Sequence, residues 1–249
     1  MSNTKRRNHY FHADASGLGA VIEKPSVADF PVQSPLSLPP VGGHATAHSA
    51  HFQFEGIVSA SSTFSEVEGS LEAESARTTA FSAVKRLNVL DRVKVREAVA
   101  HIKAEHPYEG DVPRVTFGET RLSPLHIGDS IIEVILDKDL LGGNGDGFPE
   151  RAHLRDERLW QKVGEQYDDD AGFLRCSLVK DFKVLKGALP KRVGRNGFEI
   201  EGFGRFFLAE FLVQYHSYQL IMLRFELGCP TEGQVSAAVA KANGKGGGG

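Results

Sequence analysis

Two neighbouring runs near the C-terminus, residues 204–215 and 218–227, constrain the fold more than any other feature. In the first, Phe207, Ala209, Phe211, Val213 and Tyr215 alternate with Leu208, Glu210, Leu212 and Gln214. In the second, Ile221, Leu223, Phe225 and Leu227 alternate with Met222, Arg224 and Glu226. Successive strand side chains point to opposite faces, so alternation of this length reads as β-strand. The short connection His216-Ser217 makes the pair a hairpin. Two strands sharing an apolar face are not stable alone in water, so they must pack on another layer. Phe211 and Leu223 fall mid-strand and are expected at the centre of the core.

Other strand signals agree. Residues 130–136, SIIEVIL, form a strand, and residues 173–185, FLRCSLVKDFKVL, look like one long strand. Asn196-Gly197 is a hairpin signal, because both residues tolerate positive φ. Phe52 and Phe54 alternate up to Gly56, which suggests a strand broken by a bulge. Residues 78–103 satisfy both periods; β-branched content tips them to strands. Prolines 25, 31, 35, 39 and 40, with apolar residues between them, describe an extended strap packed on a body. Residues 138–171 turn glycine-rich and acidic, with a short helical stretch around Trp160. The expected fold is mainly β: an antiparallel β-sandwich or barrel-like body with an extended Pro-rich N-terminal strap and a short helical insertion. Its parts are an arm and strap (1–50), a first β-rich half (51–137), the insertion (138–171), a second β-rich half (172–240) and a disordered tail (241–249).

At 249 residues the chain is long enough for a sizeable core without metal or disulfide support. Its net charge of -3 offers no general electrostatic case for nucleic acid or an anionic membrane. Cys176 and Cys229 read as buried free thiols in a reducing compartment. No apolar segment follows Lys5, Arg6 and Arg7, and no run reaches the roughly 18 residues of a spanning helix. The expected location is cytoplasmic; non-classical export leaves no mark of this kind.

Three strings, LNVLDRVKVREAVAHIKAEHP at 87–107, VPRVTFGETRLSPLHIGDSIIEVILD at 112–137 and FGRFFLAEFLVQYHSYQLIMLRFELGCPTEGQV at 203–235, resemble a group of uncharacterised bacterial β-rich proteins. The resemblance implies a β architecture and a bacterial origin, and carries no activity, cofactor or catalytic residue. It extends to β-rich bacterial surface-type domains, from which the absent signal sequence departs.

Candidate chemistry is sparse. His44, His48 and His51, spaced i, i+4, i+7, would share a helix face suited to zinc, but they follow Gly42-Gly43 and precede a strand, which favours surface histidines. Asp137, Asp139, Asn144, Asp146 and Glu150 are hard oxygen ligands among glycines, a weak calcium candidate that lacks the EF-hand pattern. Asp168, Asp169 and Asp170 read as a solvated turn. His106 and Glu109 are the only acid–base pair singled out, and a turn is the plainer reading. No G-x-S-x-G occurs, and Gly17-Leu18-Gly19 and Gly202-Phe203-Gly204 lack the frame of a phosphate cradle. Trp160 and Tyr167 are read as anchoring the insertion. No cofactor is expected. The chain is read as a non-enzymatic structural, assembly or binding protein that self-associates or meets a protein partner through the strap or sheet edges. The alternative is an enzyme or ligand binder whose His, Asp and Glu residues converge only in the fold.

Overall fold

In the computed structural model, residues 9–25, 27–109, 112–142, 153–163, 174–214 and 217–243 are described. Eighteen strands run through them: β1 (Ala13–Ile22), β2 (Ala28–Gln33), β3 (Leu36–Ser37), β4 (Gly43–Phe54), β5 (Val58–Leu71), β6 (Ser75–Val89), β7 (Val93–Pro107), β8 (Arg114–Thr116), β9 (Arg121–Leu122), β10 (Leu125–Ile127), β11 (Ser130–Leu136), β12 (Leu174–Ser177), β13 (Val179–Lys186), β14 (Lys191–Val193), β15 (Gly197–Ile200), β16 (Gly204–Gln214), β17 (Ser217–Leu227) and β18 (Gly233–Asn243). A 3-10 turn, His153–Arg155, and one helix, α1 (Glu157–Val163), lie in the insertion. No described helix is long and apolar enough to cross a membrane.

The strands form two antiparallel sheets packed face to face. Sheet A runs β14-β15-β16-β17-β18-β1-β2, with β12 also on β16 and β3 on β1. Sheet B runs β13-β11-β10-β7-β6-β5-β4, with β8 and β9 also on β7. Neither sheet closes on itself; the body is sandwich-like rather than a barrel. β17 and β18 lie over β7 and β6, and β1 lies over β5 and β6. The two sheets therefore end together: β2 beside β4 on one flank, and β14 and β15 beside β13 on the other.

Several segments are arranged differently from the sequence reading. The expected arm contains β1, which pairs with β18 over nearly its whole length, Ala13 facing Ala242. Its small residues, ADASGLGA, hide the strand from a hydrophobicity reading, yet they let the sheets approach. A Cβ on Gly17 would sit 2.3 Å from Thr63 Cβ on the opposite sheet. The proline-rich stretch supplies β2 and β3 at the edge of sheet A, where Pro31, having no N–H to donate, is tolerated. Gly56 lies in the three-residue turn joining β4 to β5, at φ 70, rather than in a bulge. The predicted long strand at 173–185 is two strands. β12 pairs with β16 in sheet A, and after Leu178 the chain crosses to sheet B, where β13 pairs with β11. Leu178 joins the layers, its N–H donating to the carbonyl of Ala209 and its carbonyl accepting from Asp137 N–H. Residues 241–243, read as tail, continue β18.

Both sheets share a further irregularity. In β6 the inward residues run Ala80, Ser82, Val84 and then Leu87, Val89, with Lys85 and Arg86 both exposed between them. In β7 they run Val93, Val95 and then Ala98, Ala100, Ile102. Sheet A repeats the pattern: Phe206 and Leu208 then Phe211 and Val213 in β16, Val235 and Ala237 then Ala240 and Ala242 in β18. At each reversal the ladder skips a residue pair, Arg86 opposite Arg96 in sheet B, and Ala209 opposite Met222 opposite Ala238 opposite Gly17 in sheet A. Arg86, Ala209 and Ala238 there adopt left-handed φ values of 51, 48 and 51°. A residue in that conformation uses up one strand position and inverts the alternation beyond it. Because paired strands must bend together, the reversal runs as a continuous row across each sheet.

Candidate functional site

The feature least explained by packing is the flank where β13 and β14 end their sheets. Residues 179–195 carry Lys180, Lys183, Lys186, Lys191, Arg192 and Arg195 against one anion, Asp181. All six cations are exposed. Apolar side chains stand among them: Leu185 is 48% exposed, and Val184, Leu189 and Ile135 are exposed as well. Beneath this surface the flank is built rigidly. Phe182 packs edge-on against Phe198 at 4.8 Å between ring centroids, tying β13 to β15, and Arg192 lies over the outer face of Phe182 at 4.9 Å. Gly187, at φ 74, makes the turn after β13, and Ala188 N–H donates to Ser130 Oγ. Two cations have carboxylate partners, Lys183 with Glu133 at 3.6 Å and Lys191 with Glu199 at 3.0 Å. These exposed pairs fix position more than they add stability. Among the described residues β13 pairs only with β11, so its second edge is unoccupied by any strand.

Reading the chain's charge as one total concealed this flank. Counting charge in windows would have exposed it, because 179–195 is strongly basic within a chain whose total is -3.

The residues singled out from sequence lie elsewhere and mostly apart. His106 is buried at the end of β7, where its Nε2–H donates to the carbonyl of Asn243. Burial, with the His9 ring 4.8 Å away, lowers its pKa to about 4. Glu109, beyond the end of that strand, is exposed. His44 and His48 lie on the exposed face of β4 with Thr46 between them, and His51 sits at the pleat reversal. His44 Nε2 contacts Glu66 Oε1 at 2.9 Å. Asp137 accepts from the Asp139 N–H and pairs with Lys162 Nζ at 3.0 Å, and Lys162 also donates to the Asp139 carbonyl. Asn144, Asp146, Glu150, Tyr167 and Asp168 to Asp170 fall outside the described residues. Among the described residues no three His, Cys, Asp or Glu side chains converge as metal ligands would. In the insertion, Leu159 and Val163 are the buried anchors of α1, whereas Trp160 is exposed. Cys176 is buried, and burial pushes its thiol up to about 12; Cys229 is exposed, contrary to the expectation of two buried thiols.

Sequence reasoning also missed two buried polar groups. His153 Nδ1 lies 2.7 Å from the Tyr218 hydroxyl, tying the 3-10 turn of the insertion to β17. Burial lowers the histidine pKa to about 4 and raises that of the tyrosine. Glu210, buried on β16, receives a two-point hydrogen bond from Arg224 on β17, and the guanidinium covers Phe207 at 4.3 Å. Both groups are internally satisfied, which marks them as structural rather than catalytic.

No curated protein and no solved structure matches the chain. One family model, described as a domain of unknown function (DUF8256), matches residues 9–172, well over half of the sequence, and the chain belongs to that family.

Proposed function

We propose that the chain is a non-enzymatic, bacterial-type assembly module that meets other protein chains through its sheet edges. The observation that supports this most is the flank formed by β13 and β14. It combines an open strand edge, six exposed cations and exposed aliphatic side chains on a rigid base. Exposed apolar groups rimmed by charge mark association surfaces, and an open edge is a template for another strand. The candidate acid–base pair and the described metal candidates offer less. His106 is committed to the Asn243 carbonyl, and Asp137 and Asp139 are engaged by Lys162. The module works without a bound metal or cofactor, and the exposed free thiol Cys229 suits a reducing cytoplasm. Light scattering on size-exclusion fractions across a wide concentration range tests the reading. A mass that rises with concentration is expected; a monomer at every concentration overturns it.

A further inference from the structure

The flank opposite the basic one has the complementary character. Residues 9–74, which form β1 to β5, hold a single Lys24 against Asp14, Glu23, Asp29, Glu55, Glu66, Glu68, Glu72 and Glu74. Both sheets end there too, at β2 and β4. β4 is a twelve-residue edge strand, Gly43–Phe54, containing no Lys, Arg, Asp, Glu or Pro. Natural sheets guard their edges with such residues, so a long edge without them is built to be paired. Val21, Val27 and Val32 stand exposed on and beside β2.

We infer that copies of this chain associate head to tail, the β13 and β14 flank of one docking on the β2 and β4 flank of the next. This rests on the assembly reading above and names the partner as a second copy. Joining like flanks would set lysines against lysines or carboxylates against carboxylates, whereas joining unlike flanks sets Lys180, Lys183 and Lys186 beside Asp29, Glu55 and Glu66. Because each flank ends both layers, one such contact extends both sheets of the sandwich. A contact between two different surfaces repeats, giving a ring if the rotation closes and a filament if it does not.

The test uses two charge-reversed full-length chains. One carries Lys180→Glu, Lys183→Glu and Lys186→Glu; the other carries Asp29→Lys, Glu55→Lys and Glu66→Lys. Five of the six positions are exposed and Glu66 is half-buried beside His44, and unchanged melting temperatures will establish that both chains fold. Wild type is expected to associate at low salt and to weaken by about tenfold or more in 0.5 M NaCl, where the Debye length falls to a few ångström. Each variant alone should be monomeric, and an equimolar mixture should associate again, since each retains the flank the other has altered. Wild-type oligomers that survive in both variants, or variants whose mixture stays monomeric, overturn the head-to-tail arrangement while leaving assembly itself standing. A monomeric wild type overturns both.

Discussion

His106 and His153 are the two histidines whose state the fold most strongly dictates. Both are buried and both have a pKa lowered to about 4, chiefly by desolvation of the charged form. In the unfolded chain each would titrate near 6.5, so on acidification the unfolded state takes up protons first. Their contribution to stability is present in full above roughly pH 6.5 and is lost as pH falls towards 4, on the order of 3 kcal/mol for each. Melting temperatures measured from pH 7.5 to 4.5 should fall steadily. His106→Gln keeps a donor for the Asn243 carbonyl without the titration, and should reduce the slope of that fall. An unaltered slope would mean that His106 takes up its proton alike in the folded and unfolded chains. Neither histidine's environment can be read from its neighbours in sequence, because Asn243 and Tyr218 are brought there by strands formed far along the chain.

At the scale of elements, the hairpin of β16 and β17 shows what strand periodicity reveals and where it stops. Phe211 and Leu223 are fully buried, as the alternation predicts. Truncating either to alanine should cost ~2–5 kcal/mol through lost transfer energy and the cavity left behind. Gln214→Ala and Gln219→Ala should shift the melt little; equal shifts in all four would remove the hairpin from the centre of the core. Yet Phe207, on the same parity as Phe211, is only half-buried, and Ile221, on the same parity as Leu223, faces outward. The pleat reversal between them accounts for both. It depends on left-handed alanines at 209 and 238 rather than glycines, so no residue type marks it in the sequence. Alanine pays about 1–2 kcal/mol in that conformation. Ala209→Gly should therefore cost less than Ala240→Gly, a buried position with ordinary strand geometry, by roughly that amount in urea titrations. Equal costs would show that Ala209 is unstrained. The same reasoning explains the basic flank. Its lysines are plain in the sequence, but their meeting at one sheet edge follows from the crossing at Leu178, where an apparently continuous strand changes layers.

For the whole molecule, the family-matched segment 9–172 does not coincide with a structural unit. It contains β1 to β11 and omits β12 and β14 to β18, which make up most of sheet A, together with β13 of sheet B. Expressed alone, residues 1–172 would leave the apolar face of sheet B open to water, and should aggregate or remain unfolded, as circular dichroism and light scattering would reveal. A soluble fragment melting cooperatively would show instead that sheet B stabilises itself. The full chain should melt in one transition, because its core is shared between the two layers. The placement of β18 between β17 and β1 also sets a timetable. A ribosome adding about 5–20 residues per second delivers β18 after the seventeen other described strands, and β1, made before them, has no partner on that side until then. Until β18 emerges the nascent protein must keep a wide apolar sheet uncovered, and only then can the two layers close over a shared core.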